Sequence, residues 1–148
     1  MLTARGETGF GDGLGDTDAL PFYENYYAGG IGVQGGVRGY EGYSIGPKDS
    51  NDDTYGGNFL VDGTLGLIVP TPIAPDSFRA TLFVDFGNVY NTTDIKTTTG
   101  SGPMRFSAGL AAEWRSPIGP LVLSLAEPLN PQHGDDREVL QFTVGTSF

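Results

Sequence analysis

Apolar and polar residues alternate with a period of two along most of this chain. The clearest stretch runs from residue 78 to residue 90, where apolar side chains occupy every second position and Arg79 and Asp85 lie on the opposite face. This alternation is typical of a β-strand with one apolar and one polar face. It predicts six strands, at about residues 2–10, 58–69, 78–90, 104–115, 121–127 and 138–148. No segment longer than a turn or two has helical periodicity, so the sequence predicts an all-β fold.

The predicted connections alternate in length. Those at about residues 11–57, 91–103 and 127–137 are long, whereas those at 70–77 and 116–120 are short. Outer-membrane barrels have short turns on one side and long extracellular loops on the other, and strands of about ten residues suit a tilted membrane crossing. Charged residues within the strands fall on the non-apolar face, as a water-filled lumen requires. The pattern therefore favours an antiparallel transmembrane β-barrel over the alternative, a soluble β-sandwich.

Six strands are too few to close a water-lined barrel, since natural barrels begin at about eight strands. The unclosed edges would expose backbone groups that can pair with other strands. Residues 1–7 lack the basic and apolar regions of a signal peptide, and no run of 18 apolar residues is available for a transmembrane helix. We therefore expect the chain to be part of a longer exported protein, or to require a second copy of itself.

The composition excludes several classes of function. The net charge of −10 opposes binding to nucleic acid, and the absence of cysteine excludes disulfides and thiolate chemistry. The sequence Gly30 to Gly35 matches a dinucleotide fingerprint, but no helix is predicted after it. The acidic segment 49–53 lacks the glycine and glutamate of a calcium loop, and His133 is the only histidine. The sequence thus predicts no enzyme activity, metal or cofactor.

Val37-Arg38-Gly39-Tyr40 resembles the VRG-aromatic motif of the BamA family, which lies on a long extracellular loop that folds back into the barrel. Other segments resemble the same family in the same order, over nearly the whole chain: Leu20 to Gly30, Gly56-Gly57-Asn58, the F-x-D-x-G strand Phe83 to Tyr90, the turn Ser116 to Leu121, and the terminal strand Gln141 to Phe148. The resemblance implies the last six strands of a barrel of about sixteen. The periplasmic POTRA repeats of the family would lie upstream and are absent from residues 1–148.

The resemblance also implies a partner for Arg38. Its planar guanidinium suits a carboxylate, and the family pairs it with the position of Asp85, which parity places on the lumen face. The family usually has a second lumen acid on the preceding strand, at the position of Gly66. We therefore expect Asp85 to be the partner of Arg38 and consider Asp62 as a substitute for the second acid.

The terminal strand resembles the family's β-signal. The resemblance implies that this strand pairs with the first strand of the barrel in a short, weak lateral seam, and Gly145 is expected to weaken it further. The residues assigned to this seam are Gln141, Phe142, Val144, Gly145 and Phe148.

The implied function is the folding and insertion of β-barrel proteins into the bacterial outer membrane, without covalent chemistry. The implied partners are outer-membrane lipid, unfolded outer-membrane proteins and accessory lipoproteins that bind the POTRA repeats. Two alternatives stay open: a related barrel of the TamA or two-partner secretion type, and a passive outer-membrane channel or anchor.

Overall fold

The computed structural model describes residues 1–11, 26–31, 36–46, 54, 56–73, 76–90, 103–131 and 135–144. All regular secondary structure in these ranges is β-strand, and they contain no helix of the length and apolar character needed to cross a membrane. The strands are β1 (Leu2–Phe10), β2 (Gly39–Tyr40), β3 (Phe59–Val69), β4 (Phe78–Tyr90), β5 (Arg105–Ser116), β6 (Gly119–Pro128), β7 (Arg137–Glu138) and β8 (Leu140–Val144).

Six of the strands form one antiparallel sheet in the order β1-β3-β4-β5-β6-β8. Neighbours in this sheet are therefore also neighbours along the chain, apart from the two short strands β2 and β7. Those two pair with each other in a separate antiparallel sheet. The predicted all-β class and six-stranded antiparallel sheet are confirmed.

One face of the sheet is apolar and exposed. The cross-strand register aligns one leucine from each of the six strands in a continuous row: Leu2, Leu67, Leu82, Leu110, Leu125 and Leu140. All six side chains are exposed. A contiguous apolar surface of this kind indicates contact with another apolar phase, and on a β-barrel it is the band that faces lipid.

Aromatic residues flank this apolar band. At one end, the rings of Phe10, Phe59 and Tyr90 follow one another across three strands, with centroids 6.3 Å and 6.0 Å apart. At the other end, Phe78 lies opposite Trp114 in the register. Outer-membrane barrels carry girdles of aromatic residues at both membrane–water interfaces, where the amphipathic rings of Tyr and Trp are favoured. The two aromatic ends thus mark the limits of the membrane-facing surface.

The three long connections leave the sheet from one end, and the short ones from the other. The turn between β5 and β6 has only two residues outside the strands; Gly119 adopts a φ of +118°, and the Ser116 hydroxyl donates to its carbonyl at 2.6 Å. At the opposite end, the longest connection folds back and makes isolated bridges from Tyr26 to Gly57 and from Ala28 to Ile45. This connection provides most of the buried core described below.

The terminal strand differs from its prediction of about 138–148. Pairing with β6 begins at Leu140, whereas Arg137 and Glu138 pair with Tyr40 and Gly39 of the long loop. The reason is that the loop backbone, rather than β6, lies beside residues 137 and 138. Residues 145–148, which include the predicted seam residues Gly145 and Phe148, lie outside the described ranges. The predicted strand at about 121–127 extends to Gly119–Pro128.

Candidate functional site

The site is built by the long loop where it packs on the polar face of the sheet. Its apolar residues Val37, Tyr40 and Ile45 are fully buried, together with Leu60 of β3 and Val89 of β4. Leu60 and Val89 lie opposite each other in the register and so form one small apolar platform near the loop end of the strands. Burial of this cluster holds the loop against the sheet by the hydrophobic effect.

Arg38 binds Asp85 of β4 with both ends of its guanidinium group. Nε donates to Oδ2 at 2.7 Å and Nη2 donates to Oδ1 at 2.7 Å, which is the bidentate geometry that arginine favours with carboxylates. The backbone N–H of Arg38 also donates to Oδ2 at 3.0 Å, and the Thr64 hydroxyl donates to Oδ1 at 2.8 Å. Asp85 is 0% exposed and Arg38 is 7% exposed, so solvent screens the pair very little.

Phe83 covers the guanidinium of Arg38 from the sheet side. The Cζ atom of Arg38 lies 3.3 Å from the centroid of the Phe83 ring, which is a close cation–π contact. Phe83 is also buried and precedes Asp85 by two residues, so both side chains point to the same face of β4. The arginine is thus held by a carboxylate in its plane and by an aromatic ring on its flat side.

Gly87 completes the F-x-D-x-G pattern by leaving space for Val37. A Cβ atom at position 87 would lie 2.5 Å from Cγ2 of Val37 and 3.2 Å from Cβ of Asp62. The pattern therefore has a physical explanation in this chain. Phe83 stacks on Arg38 and Asp85 neutralises its charge. Gly87 leaves room for Val37, the residue that precedes Arg38.

Gly39 passes close to β6 in a conformation that favours glycine. Its φ is +90°, and an added Cβ would lie 3.2 Å from both Cβ and the carbonyl oxygen of Ala126 and 3.3 Å from Cδ of Pro128. The following residue, Tyr40, is 0% exposed, and its hydroxyl donates to the carbonyl of Phe106 at 3.2 Å. Burial, with a smaller contribution from the charge of Asp135, raises the pKa of Tyr40 to about 12.

Of the residues predicted for the lateral seam, Gln141 faces the loop, whereas Phe142 and Val144 are exposed on the apolar face. The Gln141 side chain bonds to the backbone of both Gly39 and Tyr40. The structure thus brings one seam residue into contact with the Val37-Arg38-Gly39-Tyr40 motif and leaves two others directed outward.

Asp62, considered above as a substitute for the second acid, is buried opposite Gly87 in the register. Gly66 lies opposite both Thr3 and Phe83, and an added Cβ there would lie 2.7 Å from Oγ1 of Thr3. A larger residue at position 66 would therefore require its neighbours to move. That Asp62 takes the role of the second acid stays a prediction.

A second buried ion pair was not predicted. Arg105 of β5 donates to Asp135 from Nε at 2.8 Å and from Nη2 at 3.1 Å, and its Nη1 donates to Oδ1 of Asn88 at 3.0 Å and to the carbonyl of Pro103 at 3.1 Å. The side chains of Arg105 and Asp135 are 3% and 0% exposed. The only signal in the sequence was a charged residue on the lumen face of β5. Its partner, 30 residues away in an acidic loop, belongs to no recognisable motif.

Comparisons with known proteins agree with this geometry. The Omp85 superfamily domain matches residues 1–148. The outer membrane protein assembly factor BamA of Neisseria meningitidis is 35% identical over 99% of this chain and 22% of its own length. The sorting and assembly machinery component 50 homolog of Xenopus tropicalis is 32% identical over 84% of this chain and 29% of its own length.

A solved structure also resembles the chain closely. The crystal structure of BamA from Haemophilus ducreyi lacking POTRA domains 1–3 superposes with a TM-score of 0.84 and 35% identity, over 99% of this chain and 31% of that one. The chain thus spans less than a third of the length of these three relatives. The domain match over residues 1–148 and the antiparallel sheet show that the chain belongs to the Omp85 superfamily and forms part of a β-barrel of the bacterial outer membrane.

Proposed function

We propose that the protein containing this chain folds β-barrel proteins and inserts them into the outer membrane. The observation that carries the proposal is the docking of the loop motif in the barrel interior, where Arg38 binds Asp85 and Phe83. The names of the bacterial relatives, which are assembly factors over the same region, support it.

The mechanism that we propose uses the exposed edge of the terminal strand. β8 pairs with β6 over five residues, whereas β5 and β6 pair over ten. In the full-length protein, the other side of β8 would pair with the first strand of the barrel in the lateral seam, and opening of this seam would expose the backbone edge of β8. An incoming strand can add to such an edge through backbone hydrogen bonds, with little dependence on its side chains. The substrates in this mechanism are unfolded outer-membrane proteins, and the surrounding lipid is the second partner.

No covalent step is part of the proposal, and the protein acts as a template rather than as an enzyme. Phe142 and Val144 of β8 present apolar side chains to the membrane while the backbone edge accepts the new strand. Accessory lipoproteins would bind POTRA repeats of the full-length protein, outside this chain. We expect the seam between the terminal strand and the first strand to be short, so that it opens more easily than the pairings within the sheet, because fewer hydrogen bonds have to break.

The test uses cells depleted of their own copy of the full-length protein. The cells are supplied with the wild type, with Arg38→Ala or with Arg79→Ala, and folded outer-membrane proteins are quantified by heat-modifiable gel mobility. Arg79 is a matched control because it also lies on the polar face of β4 but is exposed. We expect the wild type and Arg79→Ala to restore folded proteins and Arg38→Ala to restore at most about a tenth as much, since removing one partner of a buried ion pair is strongly destabilising.

Two outcomes would contradict the proposal. If depletion leaves the amount of folded outer-membrane proteins unchanged, the insertion function is wrong, and a secretion transporter or a passive barrel becomes the better account. If Arg38→Ala accumulates in the membrane and complements fully, the docked loop is dispensable for the function. Immunoblots of membrane fractions distinguish loss of activity from loss of the protein itself.

A further inference from the structure

Gln141 connects the terminal strand to the lumen loop through its side-chain amide. The Gly39 N–H donates to Oε1 at 3.1 Å, and Nε2 donates to the Tyr40 carbonyl at 2.8 Å. A carboxamide offers one acceptor and two donors, so it can replace the N–H and C=O of a neighbouring strand residue. Gln141 is 3% exposed, and its own backbone is paired with Ser124 of β6. The side chain thus adds a second layer of strand-like pairing on the inner face of β8.

The loop motif spans the polar face from the middle of the sheet to its edge. Arg38 is bound to β4, and the next two residues are bound to β7 and β8. Strands β5 and β6 lie between these two attachment points in the sheet. Three consecutive residues therefore link the interior ion pair to the terminal strand.

This link supplements the pairing of β8 with its neighbour in the sheet. Within the described residues, which end at Val144, β8 pairs with β6 over five residues. Residues 136–138, which precede β8, are also bonded to the loop. The Glu41 N–H donates to the Asp136 carbonyl at 2.8 Å, and β7 pairs with β2. The loop thus provides several of the hydrogen bonds that hold residues 136–141.

We infer that Gln141 is a positioning residue that couples docking of the lumen loop to the position of the terminal strand. The inference rests on the proposed function, because the edge of β8 is where an incoming strand would pair. When the loop is docked through Arg38 and Asp85, Gln141 holds the inner side of β8 in place. When the loop leaves, the described part of β8 is held by its pairing with β6. Such coupling is reciprocal, so a change that releases the loop must also loosen β8, and a change in β8 must also loosen the loop.

Hydrogen exchange of the purified full-length protein in detergent tests this coupling without any insertion assay. Gln141→Met retains the length of the side chain but removes both hydrogen bonds to the loop, together with the longer bond from Nε2 to Oε2 of Glu138 at 3.4 Å. We expect exchange in residues 36–46 to become about tenfold faster, as the loss of one or two net hydrogen bonds implies. Arg38→Ala should likewise accelerate exchange in residues 137–144, a segment whose sequence is unchanged. The matched control is Phe142→Leu, since Phe142 is the next residue of β8 and is exposed on the opposite face.

The inference is overturned if Gln141→Met folds and exchange in residues 36–46 stays at the wild-type rate. It is also overturned if Phe142→Leu accelerates exchange in the loop as much as Gln141→Met does, because the loop would then respond to any disturbance of β8. If Gln141→Met does not fold, the Arg38→Ala measurement decides alone, and an unchanged rate in residues 137–144 overturns the inference. A failure of the depletion experiment would remove the insertion function but would leave this coupling intact.

Discussion

Within the described part of the chain, two buried arginine–aspartate pairs lie at the loop end of the sheet, and the hydrogen bonds described for them are distributed differently. At the lumen pair, the carboxylate is the centre: Asp85 accepts three hydrogen bonds from Arg38 and one from Thr64. At the second pair, the guanidinium is the centre: Arg105 donates to Asp135, Asn88 and Pro103. Asp85 thus accepts hydrogen bonds from two residues, whereas Arg105 donates hydrogen bonds to three.

The difference indicates two different roles. Asp85 belongs to a strand and binds a loop residue, so it acts as a fixed receptor for the loop motif. Arg105 also belongs to a strand, but it joins Asn88 of β4 to the ends of two connections, at Pro103 and Asp135. Asp135 lies next to Asp136, whose carbonyl accepts hydrogen bonds from Glu41 and Ser44 of the long loop. The second pair thus supports the segment on which the loop rests rather than the loop motif itself.

The largest expected effect is that of Asp85→Asn. The change leaves the buried Arg38 without a counter-charge, and the loss of one partner of a desolvated ion pair costs roughly 3–5 kcal/mol. We expect residues 36–46 to lose nearly all of their protection from hydrogen exchange, with strands β5 and β6 unaffected. Asp76→Asn, in an exposed turn, is the control and should leave exchange unchanged. Retained protection in Asp85→Asn would show that the apolar cluster alone holds the loop.

Arg105→Ala should have the next largest effect, with a different distribution. Removal of the guanidinium leaves Asp135 buried without its bidentate partner, at a cost of about 3 kcal/mol. Exchange should accelerate more in residues 135–138 than in residues 36–41, because Arg38 still binds Asp85. Equal acceleration in both segments would mean that the two pairs form a single cooperative unit, and the division of roles would be wrong.

Phe83→Leu separates the aromatic contact from the ion pair. The leucine retains an apolar surface below the guanidinium but removes the cation–π interaction, which is worth about 1 kcal/mol when it is partly desolvated. Loop exchange should become roughly fivefold faster. Phe86→Leu is the matched control, since the Phe86 ring packs near Phe106 at 6.4 Å and not on Arg38. If the two variants behave alike, stacking on Arg38 contributes nothing measurable.

The smallest effect is expected from the exposed pair of Arg137 and Glu127. Both side chains are at least half exposed, so solvent screens their attraction and the pair contributes less than about 1 kcal/mol. Arg137→Gln should change exchange in residues 135–138 only slightly, and the change should vanish in high salt. An effect as large as that of Arg105→Ala would mean that exposure does not separate the strong pairs from the weak one.

Local alternation was sufficient to predict most of the sheet. Along β4, the side chains of Phe83 and Asp85 share the buried face and those of Leu82 and Val84 the exposed face, as a period of two requires. Strand ends were harder to predict, because they depend on what lies beside them. Arg137 and Glu138 have no local feature that distinguishes them from the start of β8, and only the docked loop determines their pairing.

The candidate site was predicted in part, and only with help from the family motif. The period of two placed Asp85 on the lumen face, but it placed Asp62 on the same face and so could not select the partner of Arg38. The resemblance selected Asp85, and the structure brings it to Arg38. The role of Gln141 toward the loop was not predicted, since a glutamine on a terminal strand gives no local sign that its amide meets a backbone about 100 residues away.

The sequence by itself determined the strands, their two faces and the family, because these depend on periodicity and on short motifs that any segment carries within itself. The tertiary structure decided which side chains meet across the interior: Arg105 with Asp135, Gln141 with Gly39 and Tyr40, and β2 with β7. Those contacts depend on the register of six strands and on the path of a loop of more than forty residues. A period of two fixes the face of a residue, but it carries no information about which distant backbone will lie above that face.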